Sequence, residues 1–378
     1  MGGIEGACDT RFSGVRDAFA AGFTDGHELG ASLAIEIEGD VVVDLWGGFT
    51  DPARTAPWTH DTIACVFSCT KGLAAIALLG LVEAGTVDLD APVARYWPEF
   101  SAGGKDELPV RWLLTHEAGL SAISREMPFG SLSDWDAMVD ALAAQEPWWE
   151  PGTAHGYHGV TFGHLVGEVV RRADGRTIGR VLADDVVGPL GVDCFLGLPA
   201  AEDARTATMV IDLDPGVPTF FSHWGPDDLG PKSFGNPPDC NLVDHTNTRE
   251  FRGAEIPAAN AHSNARGLAR IYGALGAGDL LSPAMVAEAG RAHVSGDDLV
   301  MALPTRFGLG FEVTMPEAEF SFGPGARTFG HNGSGGSLGF LDPDAGIAFG
   351  YAMNRMEWRA RRDDARWFPI FDALYGAL

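Results

Sequence analysis

An uncharged apolar segment with a lysine at its start constrains this chain more than any other feature. Residues 72–82 contain no charged side chain, which predicts a helix that is buried on all sides. Lys71 immediately precedes this segment, and Ser68 lies three residues before the lysine. Residues three apart share one face of a helix, so we expect the Lys71 amine beside the Ser68 hydroxyl. Because a lysine is costly at the start of a buried helix, the pair predicts a functional site.

Ser68 and Lys71 have the chemistry of a nucleophile and its base. A serine hydroxyl is a weak nucleophile unless a base lies next to it. A lysine can act as that base when desolvation lowers its pKa. The backbone N–H of Ser68, at the start of the helix, is suitably placed to stabilise an oxyanion. The Ser-x-x-Lys spacing also occurs by chance, so this interpretation depends on further residues.

Length and composition limit the classes of function. The 378 residues, 46% of them apolar, suffice for one large core or two closely packed subdomains. The net charge of −26 argues against nucleic acid as a partner and disfavours anionic membranes. Five widely spaced cysteines suit neither a disulfide framework nor a zinc site. The first residues do not read as a signal peptide, and no apolar run reaches membrane-spanning length, which predicts a cytoplasmic protein.

Strand patterns occur near both ends of the chain, whereas helix patterns fill its middle. An N-terminal hairpin is predicted at 30–37 and 41–46, with its turn at Gly39-Asp40. The predicted C-terminal strands are 307–314, 335–341 and 345–352. The predicted helices are 11–22, 109–115, 133–144, 161–173, 177–186 and 364–377, besides the one that follows Ser68. Gly85 is expected to end that helix.

This order predicts an α/β (α+β) protein in which the two ends of the chain form one domain. That domain would comprise residues 1–87 and 262–378, and a helical subdomain would comprise residues 88–261. The stretch 211–255 is rich in Pro, Gly, Asp and Asn and shows little periodicity. A loop of that length is expected to shape a binding site or to form a lid.

Tyr157 lies in a glycine-rich loop that also carries histidines. A loop tyrosine beside a positive lysine can ionise and act as a base; the alternative is an aromatic residue that only packs. His155, His158 and His164 raise the question of a metal. Glycines interrupt any helix there and no carboxylate stands at a familiar ligand spacing, so we predict no metal site. His116 is expected to tie a helix end to a loop.

A third cluster, His331-Asn332-Gly333, lies where four glycines in seven residues allow a ligand or another backbone to approach. His331 is expected to bind a substrate carboxylate or to orient the site; the alternative is a structural histidine at a strand end. Ser337 lies in a Gly-x-Ser-x-Gly pattern, which marks a nucleophile only between a strand and a helix. Here the pattern leads into a turn and another strand, so we interpret it as coincidental.

Taken in order, Ser68-x-x-Lys71, Tyr157 and the His331-Asn332-Gly333 strand resemble the serine β-lactamase and penicillin-binding-protein superfamily. The chain looks most like the class C β-lactamase-like carboxylesterases known as family VIII. That resemblance implies a β-lactamase/transpeptidase-like fold, with an antiparallel sheet flanked by helices and a helical subdomain. The active site would lie in the cleft between the two.

The resemblance also implies residue roles. Ser68 would attack the carbonyl, and Lys71 and Tyr157 would share the proton transfers; which of them is the acylation base stays open. The N–H groups of Ser68 and Ser334 would form the oxyanion hole. The substrate-binding residues would be His331, Asn332 and Gly333. No cofactor would be required.

Two departures from the β-lactamase pattern favour an esterase. Those enzymes carry Tyr-x-Asn and Lys-Thr-Gly, where this chain has Tyr157-His158-Gly159 and His331-Asn332-Gly333. We therefore expect a carboxylesterase that hydrolyses small or short-acyl esters. The alternatives are an acyltransferase or amide hydrolase on the same scaffold, with weak β-lactamase side activity, and a non-catalytic binding protein. The sequence does not decide between a monomer and a homo-oligomer.

Overall fold

The computed structural model describes residues 3–211, 222–240, 245–318, 320–357 and 366–378. The strands, in chain order, are β1 (Glu5–Cys8), β2 (Gly30–Ile37), β3 (Asp40–Gly48), β4 (Ala64–Cys65), β5 (Cys194–Phe195), β6 (Val210–Ile211), β7 (His262–Ser263), β8 (Val294–Asp297), β9 (Pro304–Phe307), β10 (Glu312–Val313), β11 (Phe329–Asn332), β12 (Leu338–Asp342), β13 (Ile347–Met353) and β14 (Arg355–Met356). The α-helices are α1 (Ser13–Thr24), α2 (Cys69–Glu83), α3 (Arg111–Leu114), α4 (Trp135–Ala144), α5 (Thr161–Asp174), α6 (Ile178–Val181), α7 (Gly188–Leu190), α8 (Leu229–Gly235), α9 (Arg249–Gly253), α10 (Ala265–Ala277), α11 (Pro283–Gly290) and α12 (Trp367–Tyr375).

Nine of the described strands form one antiparallel sheet in the order β1-β3-β2-β13-β12-β11-β10-β9-β8. The two ends of the chain meet at its centre, where β2 pairs with β13 and Ile35 lies opposite Phe349. Two smaller sheets, β4-β7-β5 and β14-β6, lie outside it. The antiparallel sheet built from both ends confirms the predicted α+β fold class. The exact boundary between a sheet domain and a helical subdomain stays a prediction.

Helices cover both faces of the central strands. On one face the backbone of α10 approaches so closely that a side chain at Gly350 would collide with the carbonyl of Ala265. On the other face Phe371 of α12 packs edge-on against Phe340 and Phe349. Because neither face meets water, every residue of β13 is buried. This explains why the strand reads as a continuous apolar run in the sequence.

α2 is the buried helix that the uncharged segment predicts. Every residue from Cys69 to Leu79 is buried, and the helix packs against α5 and β11. Gly85 follows its end with a φ of +72°, in the left-handed region that favours glycine, which confirms the predicted helix end. The helix therefore crosses the protein between the sheet and the helical part.

Several helices and strands of the structure begin or end at other residues than the sequence predicts. The predicted strand 307–314 is interrupted between β9 and β10, where Gly310 adopts a φ of +82° and packs closely on Ala75 of α2. The predicted strand 335–341 begins only at Leu338 because residues 333–337 form a turn. The hairpin turn lies one residue early, at Glu38 and Gly39, which both have positive φ. The last helix begins at Trp367; positions 364–365 lie outside the described residues.

The helices of the middle part are mostly confirmed. α4 and α5 match their predictions within two residues, whereas the helix predicted at 109–115 shortens to α3. The helix predicted at 177–186 becomes α6, a π-helical segment at Leu182–Val187, and α7. The long stretch 211–255 contains α8 and α9; its positions 212–221 and 241–244 lie outside the described residues. None of the helices in the described segments combines the length and apolar character needed to cross a bilayer.

Candidate active site

Ser68 lies at an opening in an otherwise buried segment. Of the residues from Thr62 to Leu79, it alone is partly exposed. Phe67, directly before it, has a φ of +43°, a strained conformation for a residue with a side chain. Such strain persists only where the surroundings enforce it and is frequent at functional sites. The kink leads the chain into α2 at the partly exposed Ser68.

The surroundings that enforce this kink are hydrogen bonds to the turn before α2. Val66 N–H donates to the carbonyl of Ala261 over 2.9 Å, and Thr70 N–H donates to the carbonyl of Phe67 over 2.9 Å. The Thr70 hydroxyl donates to that same carbonyl and accepts from Ala261 N–H at 2.9 Å. The position of Ser68 is thus fixed by α2 itself and by the residues that lead into β7.

Lys71 lies under Ser68 and is fully buried. Its Nζ is 3.1 Å from Ser68 Oγ, as the three-residue spacing predicts. The same nitrogen donates to the carbonyls of Gly159 at 2.8 Å and Ala258 at 2.9 Å. An ammonium has three N–H bonds, and these three acceptors surround it. Two backbone carbonyls therefore fix the amine in a position where it faces the serine hydroxyl.

Tyr157 covers the Lys71 amine. Nζ lies 4.6 Å from the centre of the phenol ring, within the range of a cation–π contact. The ring stacks on Phe307 at 5.9 Å and on Phe234 at 6.5 Å between ring centres. It also packs 5.1 Å from the ring of His116. The structure therefore brings Ser68, Lys71 and Tyr157 together from two distant parts of the sequence.

His331 and Asn332 end strand β11 next to this cluster. The ring of His331 lies 6.0 Å from the ring of Tyr157. Its Nδ1–H donates to the carbonyl of Asn332 at 2.6 Å, and Asn332 N–H donates to the buried Glu312 carboxylate at 3.1 Å. Since Glu312 Oε2 is also 3.7 Å from Nδ1, this carboxylate helps to orient the end of the strand.

Gly333, directly after β11, lies at a close contact between this end of the strand and the segment before α2. A Cβ atom at that position would lie 2.1 Å from Ser337 Oγ and 2.3 Å from the carbonyl oxygen of Val66. Without a side chain, the end of β11 can press against the segment that leads into α2. The Cys69 thiol, which donates to the carbonyl of His331 at 3.1 Å, joins the same two elements. The contacts of Gly333 are therefore packing contacts, and its role toward a substrate stays a proposal.

Ser334, which follows β11, resembles Ser68 in its partial exposure and in its backbone N–H. It is the only partly exposed residue between Thr328 and Asp342. Within the described residues, neither the Ser68 N–H nor the Ser334 N–H donates a hydrogen bond. Ser337, in contrast, is fully buried, donates to the carbonyl of Val66 at 2.8 Å and leads into β12 rather than a helix. This agrees with the interpretation of its Gly-x-Ser-x-Gly pattern as coincidental.

The histidines near Tyr157 use their ring nitrogens for protein contacts. His158 Nδ1–H donates to the carbonyl of Gly156 at 2.7 Å, and Nε2 accepts from Leu120 N–H at 3.0 Å. Burial lowers the pKa of His158 to about 3, so this ring is neutral. His116 accepts from His158 N–H at 3.1 Å, which ties the end of α3 to the Tyr157 loop as predicted.

The histidines do not converge on one point. His155 contacts the Thr305 hydroxyl at 2.9 Å, whereas His164 packs against Trp135 in the helical part, 5.1 Å between ring centres. Burial lowers the pKa of His164 to about 4. In the ranges that the structure describes, no group of three or more His, Cys, Asp or Glu residues is arranged to hold a metal ion.

Two residues at this site were not singled out from the sequence. The carboxylate of Asp298 accepts the backbone N–H of Tyr157 at 3.0 Å. The ring of Phe234 fills the space beside Gly159, where a Cβ atom would lie 2.5 Å from the ring. Phe234 belongs to the stretch 211–255, which was expected to shape a site or form a lid. Asp298 carries no sequence signal, because it contacts Tyr157 only through the backbone.

Comparison with known proteins identifies the family to which this arrangement belongs. A model of the Beta-lactamase family matches residues 15–369. The chain belongs to the beta-lactamase family. It is 35% identical, over 93% of its own length and 83% of the relative's, to the "Esterase/beta-lactamase LipL" of Mycobacterium tuberculosis.

Two solved structures are similar over their whole length. A "Novel Penicillin-Binding Protein (PBP) Homolog" from Caulobacter crescentus is 40% identical, with a TM-score of 0.91 and complete coverage of both chains. A family VIII carboxylesterase is also 40% identical, with a TM-score of 0.90 and the same coverage. These matches confirm the resemblance read from the sequence. The protein is a serine hydrolase with the beta-lactamase fold, similar to esterases and beta-lactamases.

Proposed function

We propose that this hydrolase is a carboxylesterase that cleaves small or short-acyl esters through an acyl-enzyme on Ser68. The observation that carries the proposal is the placement of the hydroxyl of the partly exposed Ser68 3.1 Å from the buried Lys71 amine. The phenol of Tyr157 lies over the same amine. This arrangement supplies a nucleophile and two adjacent groups that can move its proton.

The reaction divides into two halves. In the first, Ser68 Oγ attacks the ester carbonyl while its proton passes to the Lys71–Tyr157 pair. The oxyanion lies against the N–H groups of Ser68 and Ser334, and the alcohol leaves with a proton from the same pair. In the second half, water attacks the acyl carbon and gives its proton to the pair. The pair then protonates Ser68 Oγ as the bond between this oxygen and the acyl carbon breaks, and the acid is released. Besides the ester and water, the proposed steps use side chains and backbone amides of this chain.

The surroundings of Gly159 favour esters over β-lactams. In β-lactamases of the resembled class, an asparagine two residues after the tyrosine holds the amide of the antibiotic. Here that position is Gly159, and the ring of Phe234 occupies the space into which a side chain would extend. His331 stands where those enzymes have the lysine of Lys-Thr-Gly. An antibiotic would therefore lose one neutral and one charged contact, roughly 2–4 kcal/mol of binding.

A substrate comparison tests this proposal. The value of kcat/KM for a short p-nitrophenyl ester should exceed that for nitrocefin by roughly two to three decades. Activity should decline as the acyl chain of the p-nitrophenyl ester is lengthened. Comparable values for the ester and nitrocefin would move the enzyme to the β-lactamases.

The nucleophile is tested separately. Ser68→Ala should abolish ester turnover and prevent covalent labelling by a fluorophosphonate, as followed by intact mass. Ser337→Ala is the matched control, because Ser337 is the other serine near the start of α2 but has its hydroxyl bonded to Val66. It should keep most of the activity. An active Ser68→Ala variant would overturn the proposed mechanism.

A further inference from the structure

The backbone of Tyr157 is attached to a buried carboxylate on another loop. Asp298, which is 2% exposed, directly follows β8. Tyr157 N–H donates to its two carboxylate oxygens over 3.0 and 3.1 Å. The backbone N–H of Leu299, the residue after Asp298, donates to the carbonyl of His155 at 3.1 Å. Two loops 141 residues apart in the sequence are thus joined beside the Lys71 amine.

The carboxylate is itself firmly held. Val300 N–H and Met301 N–H each donate to Oδ1 at 2.8 Å, and the Thr305 hydroxyl donates to Oδ2 at 3.0 Å. Since that hydroxyl donates to Asp298, it accepts from His155 Nε2–H at 2.9 Å. Burial raises the pKa of Asp298, and the backbone donors and nearby His155 oppose the shift.

The residues beside Tyr157 are held by other contacts, since Gly156 N–H donates to the carbonyl of His116 at 3.1 Å and Lys71 Nζ donates to the carbonyl of Gly159 at 2.8 Å. Asp298 adds a contact at the backbone N–H of Tyr157 itself. Gly156 and Gly159 lie close on either side of Tyr157, and glycine leaves a backbone more freedom than any other residue. A bond from the backbone N–H to a rigid carboxylate reduces that freedom. Charge-assisted hydrogen bonds of this kind are stronger than neutral ones.

We propose that Asp298 is a positioning residue for Tyr157, which fixes the glycine-flanked loop so that the phenol stays over the Lys71 amine. The inference rests on the proposed function, because it assigns Tyr157 a part in proton transfer. Asp298 acts through the backbone of Tyr157. A displacement of about 1 Å in a catalytic group can cost on the order of 10²-fold in rate.

Substitution of Asp298 tests the proposal. Asp298→Ala should lower kcat for a p-nitrophenyl ester roughly 10- to 100-fold with little change in KM. Rates are expressed per folded molecule, with the folded fraction measured by circular dichroism. Asp298→Asn retains an oxygen for the backbone donors and should restore most of kcat. A folded Asp298→Ala enzyme with wild-type kcat would overturn the proposal.

Asp342 provides the matched control. It is also buried, accepts Asp344 N–H at 2.9 Å and Ala345 N–H at 3.2 Å, and accepts the hydroxyl of Tyr375 at 2.8 Å. It lies at the opposite end of β12 from the residues that contact the site. Asp342→Ala should lower stability and leave kcat unchanged. An equal loss of kcat in the Asp342 and Asp298 variants would reduce Asp298 to a structural residue.

A double-mutant cycle separates positioning from general stabilisation. If Asp298 acts through the phenol, Asp298→Ala should cost less than about threefold in kcat when Tyr157 is already Phe. An undiminished cost in that background would contradict the proposal. The Ser68→Ala variant decides the proposed function on its own. The role of Asp298 is decided by comparing the loss of kcat that Asp298→Ala causes when Tyr157 is present with the loss that it causes in the Tyr157→Phe variant.

Discussion

Lys71 and Lys105 are both fully buried, yet their surroundings differ in two respects. Lys105 donates to three backbone carbonyls, those of Ala102, Ala143 and Gln145. Lys71 donates to two carbonyls, and its third neighbour is the hydroxyl of Ser68. Each amine also lies against one aromatic ring, Phe100 for Lys105 and a tyrosine for Lys71.

The comparison shows which features mark a functional lysine. Burial, carbonyl acceptors and a cation–π contact occur at both positions and so cannot distinguish them. Burial lowers the pKa of Lys105 to about 8, although the Glu146 carboxylate opposes the shift. A lowered pKa is therefore not sufficient either. What distinguishes Lys71 is the hydroxyl of a partly exposed serine in place of one carbonyl and a phenol in place of a phenyl ring.

Replacement of Lys71 should have the largest effect. Lys71→Met keeps the length of the side chain but removes the amine, so kcat/KM for a p-nitrophenyl ester should fall about 10³-fold or more. Stopped assays at high enzyme concentration can measure the remaining rate. A Lys71→Met variant with near-normal turnover would leave no functional difference between the two lysines.

Tyr157→Phe makes the ring over Lys71 chemically the same as the ring over Lys105. The loss of the phenol should reduce kcat roughly 10²–10⁴-fold, because proton transfer loses one of its two groups. The free energy of unfolding should change by at most about 1 kcal/mol. Parallel measurements of turnover and urea unfolding check both values. If turnover survives, the tyrosine only packs.

Lys105→Met should have the opposite profile to Lys71→Met. Three buried carbonyls lose their donor, which should lower the free energy of unfolding by about 2–4 kcal/mol. The kcat of the folded enzyme should stay within about twofold of wild type, since no contact within the described residues links Lys105 to Ser68. Thermal unfolding and ester turnover on the same sample measure both. A large loss of kcat without destabilisation would contradict this distinction.

The smallest expected effect is a change in the pH dependence of stability, caused by the buried His164. His164 packs against Trp135 of α4, and α4 also supplies the Ala143 carbonyl to Lys105. Its folded pKa of about 4 lies below the unfolded value of about 6.5. Between these values the unfolded chain binds a proton that the folded chain does not, so stability falls as pH decreases from about 6.5 toward 4.

His164→Gln removes this titration from the helical core. The variant should lose less stability over the same pH window, by up to about 1.4 kcal/mol per pH unit. Urea unfolding at several pH values measures the difference, and ester turnover at pH 7 serves as the control. Identical pH dependence in the two proteins would show that His164 is not the group that titrates.

Local spacing made part of this site predictable from the sequence. Ser68 and Lys71 are three residues apart on one helix, so their contact follows from helix geometry. Tyr157 and His331 entered only through the order of motifs in a known family, because no local rule joins residues that far apart. The uncharged segment after Lys71 likewise predicted α2, and the strand patterns at both ends of the chain predicted that these ends form one domain, whereas the antiparallel sheet came from the family resemblance.

The parts that could not be predicted depend on long-range contacts. Asp298 contacts the Tyr157 backbone, and a backbone N–H leaves no trace in residue type. Phe234 lies against a glycine in a stretch without periodicity. The break between β9 and β10 arises because Gly310 packs on Ala75, a contact that the apolar pattern of 307–314 does not reveal. The burial of Lys105 could not be predicted, because its acceptors are all backbone carbonyls.

The pairing of β2 with β13 has a consequence for how the enzyme is made. β2 is translated before β13, so one of its edges has no partner until the later strand has been made. Strand β11, which leads to Gly333 at the contact with the segment before α2, is also made after Ser68. The nascent chain therefore carries Ser68 and Lys71 without β11 beside them until that strand has been made. We expect such a chain to be inert toward cellular esters, and its apolar β2 edge to be the surface that a chaperone meets first.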